Sequence, residues 1–253
     1  MIQSLKRAVS ILKTFTIDDA EIGVGDLSRR LQLPKSTVFR LLSTMESEGL
    51  IRQNPDTRKY RLGLELLSLA GNIRVHSELQ NLARPYLRRL SNTLNETVNL
   101  SILDRNFTVN IEQFVSAERL VMRVGWVGRQ MPIHAVSAGK VIVAYLPDEE
   151  QADYLEGEHE ALTQNTKTDK EVLREELSSI REHGYAIAFE ELEDGLHAIS
   201  APIWNHVGSA IASVSVSGPA YRLTKQRLDE ITPQVVKTAL QVSQAMGYQG
   251  KML

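Results

Sequence analysis

The sequence predicts an α+β protein, in which a small helical N-terminal domain precedes a larger domain of mixed strands and helices. In the first 48 residues apolar side chains recur at helical spacing, and a hairpin pattern follows them. Beyond residue 96, strand-like segments alternate with helical ones. An apolar share of 42% over 253 residues is enough to fill a sizeable core.

Three helices are predicted in the N-terminal domain. The i, i+3, i+4, i+7 spacing of one helix face is followed by Leu5, Ala8, Val9 and Leu12. This helix runs to about Phe15, and a short second helix covers VGDLSRRLQL. The third begins at Pro34, whose missing N–H is not needed in a first turn, and ends at Gly49.

A β-hairpin is predicted next, because LIRQNPDTRKYRLG places two short apolar or aromatic runs around the turn-forming residues 54–57. Three short helices and a hairpin are the plan of a winged helix-turn-helix, which reads DNA with one helix. Residues 1–62 carry 11 Lys and Arg against 7 Asp and Glu, whereas residues 63–253 carry 18 against 24. A basic N-terminal domain favours an anionic partner.

The third helix, PKSTVFRLLSTMESEGLI, combines a polar beginning with an apolar stripe formed by Val38, Leu41, Leu42 and Met45. In isolation its polar end would be read as merely solvated, but the preceding helix and the following hairpin favour a recognition helix. Short Ser and Thr side chains let the helix N–H groups approach phosphate, and Arg40 can reach a guanine edge. The predicted DNA-binding residues are Lys35, Ser36, Thr37, Phe39, Arg40, Arg58 and Lys59.

A leucine-rich helical segment, LGLELLSLAGNI, follows the hairpin and has more apolar surface than a lone helix needs. We expect its residues Leu64, Leu67 and Ile73 to pack against a second chain. A further helical stripe from Leu79 to Leu94 contains Pro85, which should kink the helix or begin a new one.

The remaining chain predicts an α/β domain of about six strands with several flanking helices. Strand patterns occur in TVNLSILD, FTVNIEQFV, RLVMRVG, YAIAFEEL, HAISAPIW and SAIASVSVSG. Helical patterns occur in SAGKVIVAYL, KEVLREELSSIREHG and KQRLDEITPQVVKTALQVSQAM.

Five segments resemble, in order, the successive signatures of the isocitrate lyase regulator (IclR) family of bacterial transcription factors. They are LKRAVSILKTF, LPKSTVFRLLSTMESEGLI, YRLGLELLSLAG, PIHAVSAGKVIVAYL and APIWNHVGSAIASVSVSGP. The resemblance implies a winged helix at 1–62, a dimerising linker helix at 63–77 and a GAF-like effector domain at 78–253. It also implies a dimer or a dimer of dimers on a palindromic operator, most often as a repressor of a catabolic operon.

The resemblance further implies effector-binding residues, namely Ser137, Ala138, Ala188, Glu190, Ala198, Ser215 and Ser217. The first two would offer backbone N–H groups, and the serines at 215 and 217 would offer hydroxyls to a small acid. Two positions depart from the family: Ala188 stands where many members have aspartate, and Ala198 where they have cysteine. Fewer convergent polar groups favour a larger or more apolar ligand, so we expect an aromatic or bulky carboxylate or amide.

Enzyme motifs are incomplete in this sequence. SAGK at 137–140 has the Ser-x-x-Lys spacing of serine β-lactamases, but no Lys-Thr-Gly or Ser-Asp-Asn completes the site. A P-loop would need glycine where His134 stands and Ser or Thr where Val141 stands. The acidic run EELEDGLH fits a strand end with solvated charges better than a metal site or an acid–base pair. We therefore expect no catalytic residue, no metal and no cofactor.

A cytoplasmic protein is expected, because no segment approaches the ~20 apolar residues that span a bilayer and the sequence contains no cysteine for disulfides. Two other classes stay open. A small-molecule enzyme with a nucleic-acid docking domain predicts turnover of the ligand. A winged-helix module for protein contacts alone predicts no salt-dependent DNA binding.

Overall fold

The computed structural model of the chain describes residues 2–16, 19–72, 77–115 and 127–250. The chain divides into two compact units, Met1–Val75 and His76–Leu253. The first unit is helical with one hairpin, and the second is built on a sheet. Each unit encloses a hydrophobic core of its own.

The N-terminal unit contains the predicted three helices and hairpin, so these predictions are confirmed. Its helices are α1 (Gln3–Thr14), α2 (Val24–Leu31), α3 (Lys35–Ser47) and α4 (Glu65–Gly71). The strands β1 (Ile51–Gln53) and β2 (Tyr60–Leu62) pair antiparallel. Burial of apolar side chains drives their packing, and the fully buried ones include Ile11, Leu27, Val38 and Leu42.

A tight turn joins α2 to α3. Gln32 lies in the left-handed region with φ of 52°, and the hydroxyl of Ser28 donates to the carbonyl of Leu33 at 2.6 Å. Pro34 then precedes the first residue of α3. Because the two helices pack on each other across this turn, α3 buries one side and leaves the other in solvent.

The C-terminal unit is built on an antiparallel sheet whose described strands follow the order β5-β4-β3-β8-β7-β6. The strands are β3 (Thr97–Asp104), β4 (Phe107–Phe114), β5 (Gln130–Pro132), β6 (Ala186–Phe189), β7 (Leu196–Trp204) and β8 (Ala210–Pro219). The helices are α5 (Ser77–Leu94), α6 (Ser137–Val143), α7 (Asp148–Leu155), α8 (Lys170–His183) and α9 (Lys225–Ala245), with a 3₁₀ turn at Ile133–Ala135.

The two faces of this sheet differ in chemistry, because successive residues of a strand point to opposite sides. The aliphatic face packs against α5 and α9, and its fully buried side chains include Leu100, Ile199, Val214 and Val216. The opposite face carries small and polar side chains, among them Asn99, Ser200, Ser213 and Ser215. This polar face is covered by α6.

Helix α6 lies so close to the sheet that Gly139 has no room for a side chain. A Cβ atom there would stand 2.2 Å from Thr108 Oγ1 and 3.0 Å from the backbone of Ile133. The same helix contributes to a second hydrophobic cluster with α8, where Leu173 and Leu177 are buried. A close helix therefore forms the roof over the polar face of the sheet.

Most predicted elements of the C-terminal unit are confirmed, with two differences. Pro85 does not divide α5, because the buried residues Ala83 and Leu87 on either side of it pack on the same core. The sequence did not predict β5, the 3₁₀ turn or α7; in α7 the buried residue is Leu155 alone, so its apolar periodicity is weak. The strand predicted at 119–125 and the contact predicted for Ile73 lie outside the described residues.

Within the described ranges, no helix combines the length and the apolar character needed to cross a membrane.

Candidate DNA-binding surface and effector pocket

Helix α3 presents two different faces. Val38, Leu42 and Met45 are buried in the N-terminal core, with Leu41 partly buried against it, as the apolar stripe predicts. On the outside, Lys35, Ser36 and Arg40 are exposed, Thr37 is half-buried, and Phe39 is 54% exposed. The core therefore fixes the orientation of α3 and directs its basic and short polar side chains to solvent.

The hairpin supplies a second group of exposed cations. Arg58 and Lys59 lie in the turn between β1 and β2, and both are exposed. Arg58 has φ of 58°, a left-handed conformation that is uncommon for a residue other than glycine. The backbone N–H of Arg58 donates to the carbonyl of Asn54 at 2.9 Å, and that of Asn54 donates to the carbonyl of Lys59 at 2.8 Å. These bonds close the turn and hold both cations where it leads into β2.

A pocket opens in the C-terminal unit between the polar face of the sheet and the segment that contains the 3₁₀ turn and α6. The empty space within it and at its mouth is about 440 Å³. Its apolar lining consists of Met131, Ala135, Val136, Ala138, Ala188, Leu192, Leu196 and Ala198. Its polar lining consists of Asn99, Asn110, Ser137, Glu191, Ser215 and Ser217.

The register of the sheet explains why these residues meet. Ala188 pairs with Ala198, and Ala198 pairs with Ser217. Two residues before Ser217 in β8, Ser215 pairs with Asn99 of β3. The floor of the pocket thus crosses four neighbouring strands, three spacings of about 4.8 Å each.

Hydrogen bonds leave donors available at the serine end of this floor. The amide nitrogen of Asn99 donates to the hydroxyl oxygens of Ser217 at 3.2 Å and Ser215 at 3.4 Å. The amide oxygen of Asn99 in turn accepts from Gln113 at 3.0 Å, which fixes the orientation of the carboxamide. Because each serine oxygen accepts from Asn99, its own O–H can donate to a further acceptor.

Other hydrogen bonds fasten the roof of the pocket to its floor. Ser137 Oγ of α6 lies 2.7 Å from Ser200 Oγ of β7, and the hydroxyl of Ser213 donates to the Ala138 carbonyl at 3.0 Å. Ser137, Ser200 and Ser213 are each no more than 1% exposed. These buried bonds tie the beginning of α6 to β7 and β8.

A buried charge network borders the pocket. Lys140 is fully buried, and its Nζ donates to both carboxylate oxygens of Glu191 at 2.9 Å and to Glu176 at 2.8 Å. Lys167, half-exposed, lies 2.7 Å from Glu176 and 3.8 Å from Glu191. Two cations and two anions neutralise one another, although burial still raises the pKa of Glu191 above its ordinary value. Burial and the two nearby glutamates likewise raise the pKa of Tyr154.

The structure brings six of the seven predicted effector residues to the pocket lining: Ser137, Ala138, Ala188, Ala198, Ser215 and Ser217. Glu190 is not among the lining residues, which contain its neighbour Glu191 instead. Glu190 Oε1 accepts from the backbone N–H of Gly195 at 2.7 Å, so its carboxylate closes the turn after β6.

Sequence reasoning missed Asn99 and Asn110 in the lining, as well as the Lys140–Glu191 pair. A signal for Asn99 was present in TVNLSILD, where Thr97, Asn99 and Ser101 alternate with three aliphatic residues. Polar residues alternating along a strand that is buried on both faces indicate a polar interior site. The Lys140–Glu191 pair could not be predicted from a local pattern, because its partners are 51 positions apart in the sequence.

The two side chains of the SAGK segment that suggest an enzyme, Ser137 and Lys140, have other partners in the structure. The ammonium of Lys140 is held by three hydrogen bonds to two carboxylates, and the hydroxyl of Ser137 pairs with Ser200. Both SAGK side chains that resemble a catalytic pair are therefore hydrogen-bonded to other residues rather than to each other. In the part of the chain that the structure describes, no group of three or more His, Cys, Asp or Glu side chains could hold a metal ion.

A helix-turn-helix with an exposed basic surface and a separate unit with a lined pocket define a class of protein: transcription regulators that bind DNA and respond to a small molecule. The chain belongs to the IclR family of bacterial transcriptional regulators. The IclR helix-turn-helix domain matches residues 4–55, and the bacterial transcriptional regulator IclR C-terminal domain matches residues 73–244.

Individual relatives match over nearly their whole length. The HTH-type transcriptional regulator XynR of Escherichia coli K12 is 34% identical over 249 residues, covering 98% of each chain. The HTH-type transcriptional repressor AllR of Klebsiella pneumoniae is 34% identical over 247 residues, covering 97% of this chain and 90% of AllR. An IclR homologue of Microbacterium hydrocarbonoxydans, crystallised with 4-hydroxybenzoate, superposes with a TM-score of 0.80 at 27% identity, covering 96% and 99% of the two chains.

Proposed function

We propose that the chain is a cytoplasmic repressor of a catabolic operon, which binds a palindromic operator through α3 and the hairpin and is controlled by an effector in the pocket. The observation that carries this proposal is the geometry of α3, whose apolar side is locked in the core while Lys35, Ser36 and Arg40 face solvent. Repression is supported by AllR, a relative that is itself a repressor.

The proposed DNA contacts divide into two kinds. Lys35, Ser36 and Thr37 at the start of α3 contact phosphates, together with Arg58 and Lys59 in the hairpin turn. Phe39 and Arg40, one turn further along α3, face the bases of the major groove. Arg40 can donate two hydrogen bonds to guanine, and the ring of Phe39 can pack on a thymine methyl group.

A dimer or a dimer of dimers is proposed as the binding form, because a palindromic operator requires two N-terminal units. Exposed leucines of the linker support a contact between copies. Leu64 is 75% exposed and Leu67, in α4, is 68% exposed. Burying both would remove costly apolar surface from water.

The proposed effector is an aromatic or bulky carboxylate or amide. The available O–H donors of Ser215 and Ser217 suit an acceptor such as a carboxylate or carbonyl oxygen. Ala188, Ala198 and Leu196 offer an apolar surface for the body of the ligand. The Microbacterium homologue, crystallised with 4-hydroxybenzoate, supports an aromatic carboxylate for this fold.

The pocket is proposed to bind without catalysis. Two groups that a serine hydrolase would need are already engaged, Ser137 with Ser200 and Lys140 with two glutamates. An effector recovered chemically unchanged after long incubation with the protein is the expected result. Accumulation of a product would favour the enzyme interpretation.

DNA binding is tested by fluorescence anisotropy with a duplex covering the intergenic region beside the encoding gene. Affinity should fall steeply with salt, because each phosphate contact contributes about 0.9 to the negative slope of the logarithm of the association constant against the logarithm of the salt concentration. The slope should exceed that of a single contact, and affinity for this duplex should exceed that for a scrambled one. Salt-independent binding, or none, would refute the proposed function.

Effector binding is tested by thermal shift with benzoate, 4-hydroxybenzoate, benzamide, pyruvate and glyoxylate. Aromatic members should stabilise the protein, because mass action raises the melting temperature when a ligand binds only the folded state. Ser217→Ala should reduce that stabilisation, whereas the control Ser209→Ala, at an exposed position of the β7–β8 turn, should leave it unchanged. Tight binding of pyruvate alone would contradict the proposed effector class.

A further inference from the structure

Glu21, a residue between α1 and α2, holds the hairpin turn with both oxygens of its carboxylate. Oε1 accepts from the amide nitrogen of Asn54 at 2.9 Å, and Oε2 accepts from the hydroxyl of Thr57 at 3.1 Å. Asn54 and Thr57 are 33 and 36 positions away along the chain. Glu21 therefore links a segment outside the hairpin to the residues that precede Arg58 and Lys59.

The chain around Glu21 is itself fastened on both sides. Asp19 pairs with Arg30 of α2 at 2.8 Å. Ile22, 2% exposed, exchanges two backbone hydrogen bonds with Tyr60 of β2, each 2.9 Å long. The segment from Asp19 to Ile22 thus acts as a strap that joins the end of α2 to the hairpin.

The turn that the strap holds has a conformation that needs support. Arg58 lies at φ of 58°, which costs free energy for a residue with a side chain. Asn54 Oδ1 accepts from the backbone of Asp56 at 3.0 Å, while Asn54 Nδ2 is occupied by Glu21. The carboxylate of Glu21 fixes the Asn54 carboxamide and the Thr57 side chain at once, so it restrains the whole turn.

Glu21 is also a negative charge beside cations proposed to bind DNA. The hydrogen bond from Asn54 holds its pKa below the ordinary value, with Thr57, Arg61 and Lys59 contributing in the same direction. Glu21 is consequently ionised at neutral pH. By charge alone, an anion at this place repels DNA, and its removal should strengthen binding.

We propose that Glu21 is a positioning residue for DNA binding, whose carboxylate sets the hairpin turn so that Arg58 and Lys59 reach the phosphate backbone. The inference rests on the proposed role of the hairpin in DNA binding. It predicts that removing the negative charge at position 21 weakens DNA binding, whereas charge repulsion alone predicts stronger binding. Glu21 does not itself contact DNA.

The test compares Glu21→Gln with Asp56→Asn by anisotropy on the intergenic duplex across a range of salt concentrations. Asp56 is exposed in the same turn, so Asp56→Asn removes an equal charge from nearly the same place. Glu21→Gln should weaken binding about fivefold, since loss of a charged acceptor from two hydrogen bonds is worth roughly that factor. Its salt slope should also become shallower, because phosphate contacts by Arg58 and Lys59 are weakened. Asp56→Asn should leave affinity unchanged or raise it.

A double-mutant cycle assigns the effect to the hairpin. In a protein that already carries Arg58→Ala and Lys59→Ala, Glu21→Gln should no longer weaken binding. Should Glu21→Gln fail to fold, the pair Thr57→Ala and Thr57→Ser replaces it, because only serine keeps the hydroxyl that donates to Glu21. Thr57→Ala should weaken binding and Thr57→Ser should restore it.

Two results would overturn the inference: unchanged or tighter binding by Glu21→Gln, or equal weakening in the background that lacks Arg58 and Lys59. Both are distinct from failure of the proposed function, in which the unmodified protein itself shows no salt-dependent binding. Thermal melting of each variant confirms that affinity is compared between folded proteins.

Discussion

Replacing Lys140 by methionine should destabilise the C-terminal unit strongly, because it leaves two glutamates in the interior without their shared cation. Removing one partner of a buried ion pair costs about 3–5 kcal/mol. Lys167 stays 2.7 Å from Glu176 and 3.8 Å from Glu191, and so offsets part of the loss. We therefore expect the lower end, about 3 kcal/mol, or a fall in melting temperature of about 6–12 °C for a unit of this size.

The dependence of this effect on pH distinguishes an uncompensated charge from poor packing. Burial already raises the pKa of Glu191 above its ordinary 4.5, and loss of Lys140 raises it further. When the pKa of a carboxyl group is higher in the folded than in the unfolded protein, its ionisation lowers the free energy of unfolding. This penalty is complete at pH above the folded-state pKa and absent at pH below the unfolded-state pKa. The stability difference between Lys140→Met and the unmodified protein should therefore shrink as the pH falls from about 7.5 toward 4.5.

Urea denaturation monitored by circular dichroism at several pH values measures this difference. Lys237→Met, at an exposed position of α9, is the control for the same change of side chain and should alter stability by less than about 0.5 kcal/mol. A loss below about 1 kcal/mol in Lys140→Met, or a loss that does not change with pH, would refute the assigned role of the buried pair.

Three further outcomes are expected. Arg40→Ala should cost about 1–3 kcal/mol on the specific duplex and little on a scrambled one, and an unchanged footprint would exclude α3 as the reading helix. Lys59→Ala should weaken binding to both duplexes equally and reduce the salt slope by about 1, whereas a loss confined to the specific duplex would assign Lys59 to base contacts. Gly139→Ala should destabilise the protein by about 1–3 kcal/mol or more, since its Cβ would meet Thr108 Oγ1 at 2.2 Å. Thr108→Ala should restore part of that loss, and a neutral Gly139→Ala in denaturation experiments would contradict the close packing of α6.

Local patterns were enough to predict most of the fold. The spacing of Leu5, Ala8 and Leu12 marks α1, and Gly49, with φ of 71°, stands where the third helix was expected to stop. Elements with little buried surface could not be predicted from apolar spacing; α7, for example, buries Leu155 alone. At Pro85 a local signal was misleading: proline predicts a kink or a helix start, but the packing of α5 against the core keeps the helix continuous.

For the two candidate sites as well, local features could be predicted from the sequence and long-range contacts could not. The exposed positions of Lys35 and Arg40 on α3 could be predicted, because a recognition helix is a local motif with a fixed place after a turn. Ser215 and Ser217 came from the family resemblance, and the structure places both in the lining. The hydrogen bonds that Asn54 donates to Glu21 and Lys140 donates to Glu191 join distant positions, so they could not be predicted from any local pattern.

The alternation along β8 has a practical consequence for engineering the protein as a biosensor. Val214 and Val216 belong to the aliphatic core, while Ser215 and Ser217 belong to the pocket. The same division in β6 and β7 leaves Ala188 and Ala198 on the pocket side. A library that randomises positions 188, 198, 215 and 217 could therefore change which compound is detected while the residues that hold the sheet to α5 and α9 stay untouched.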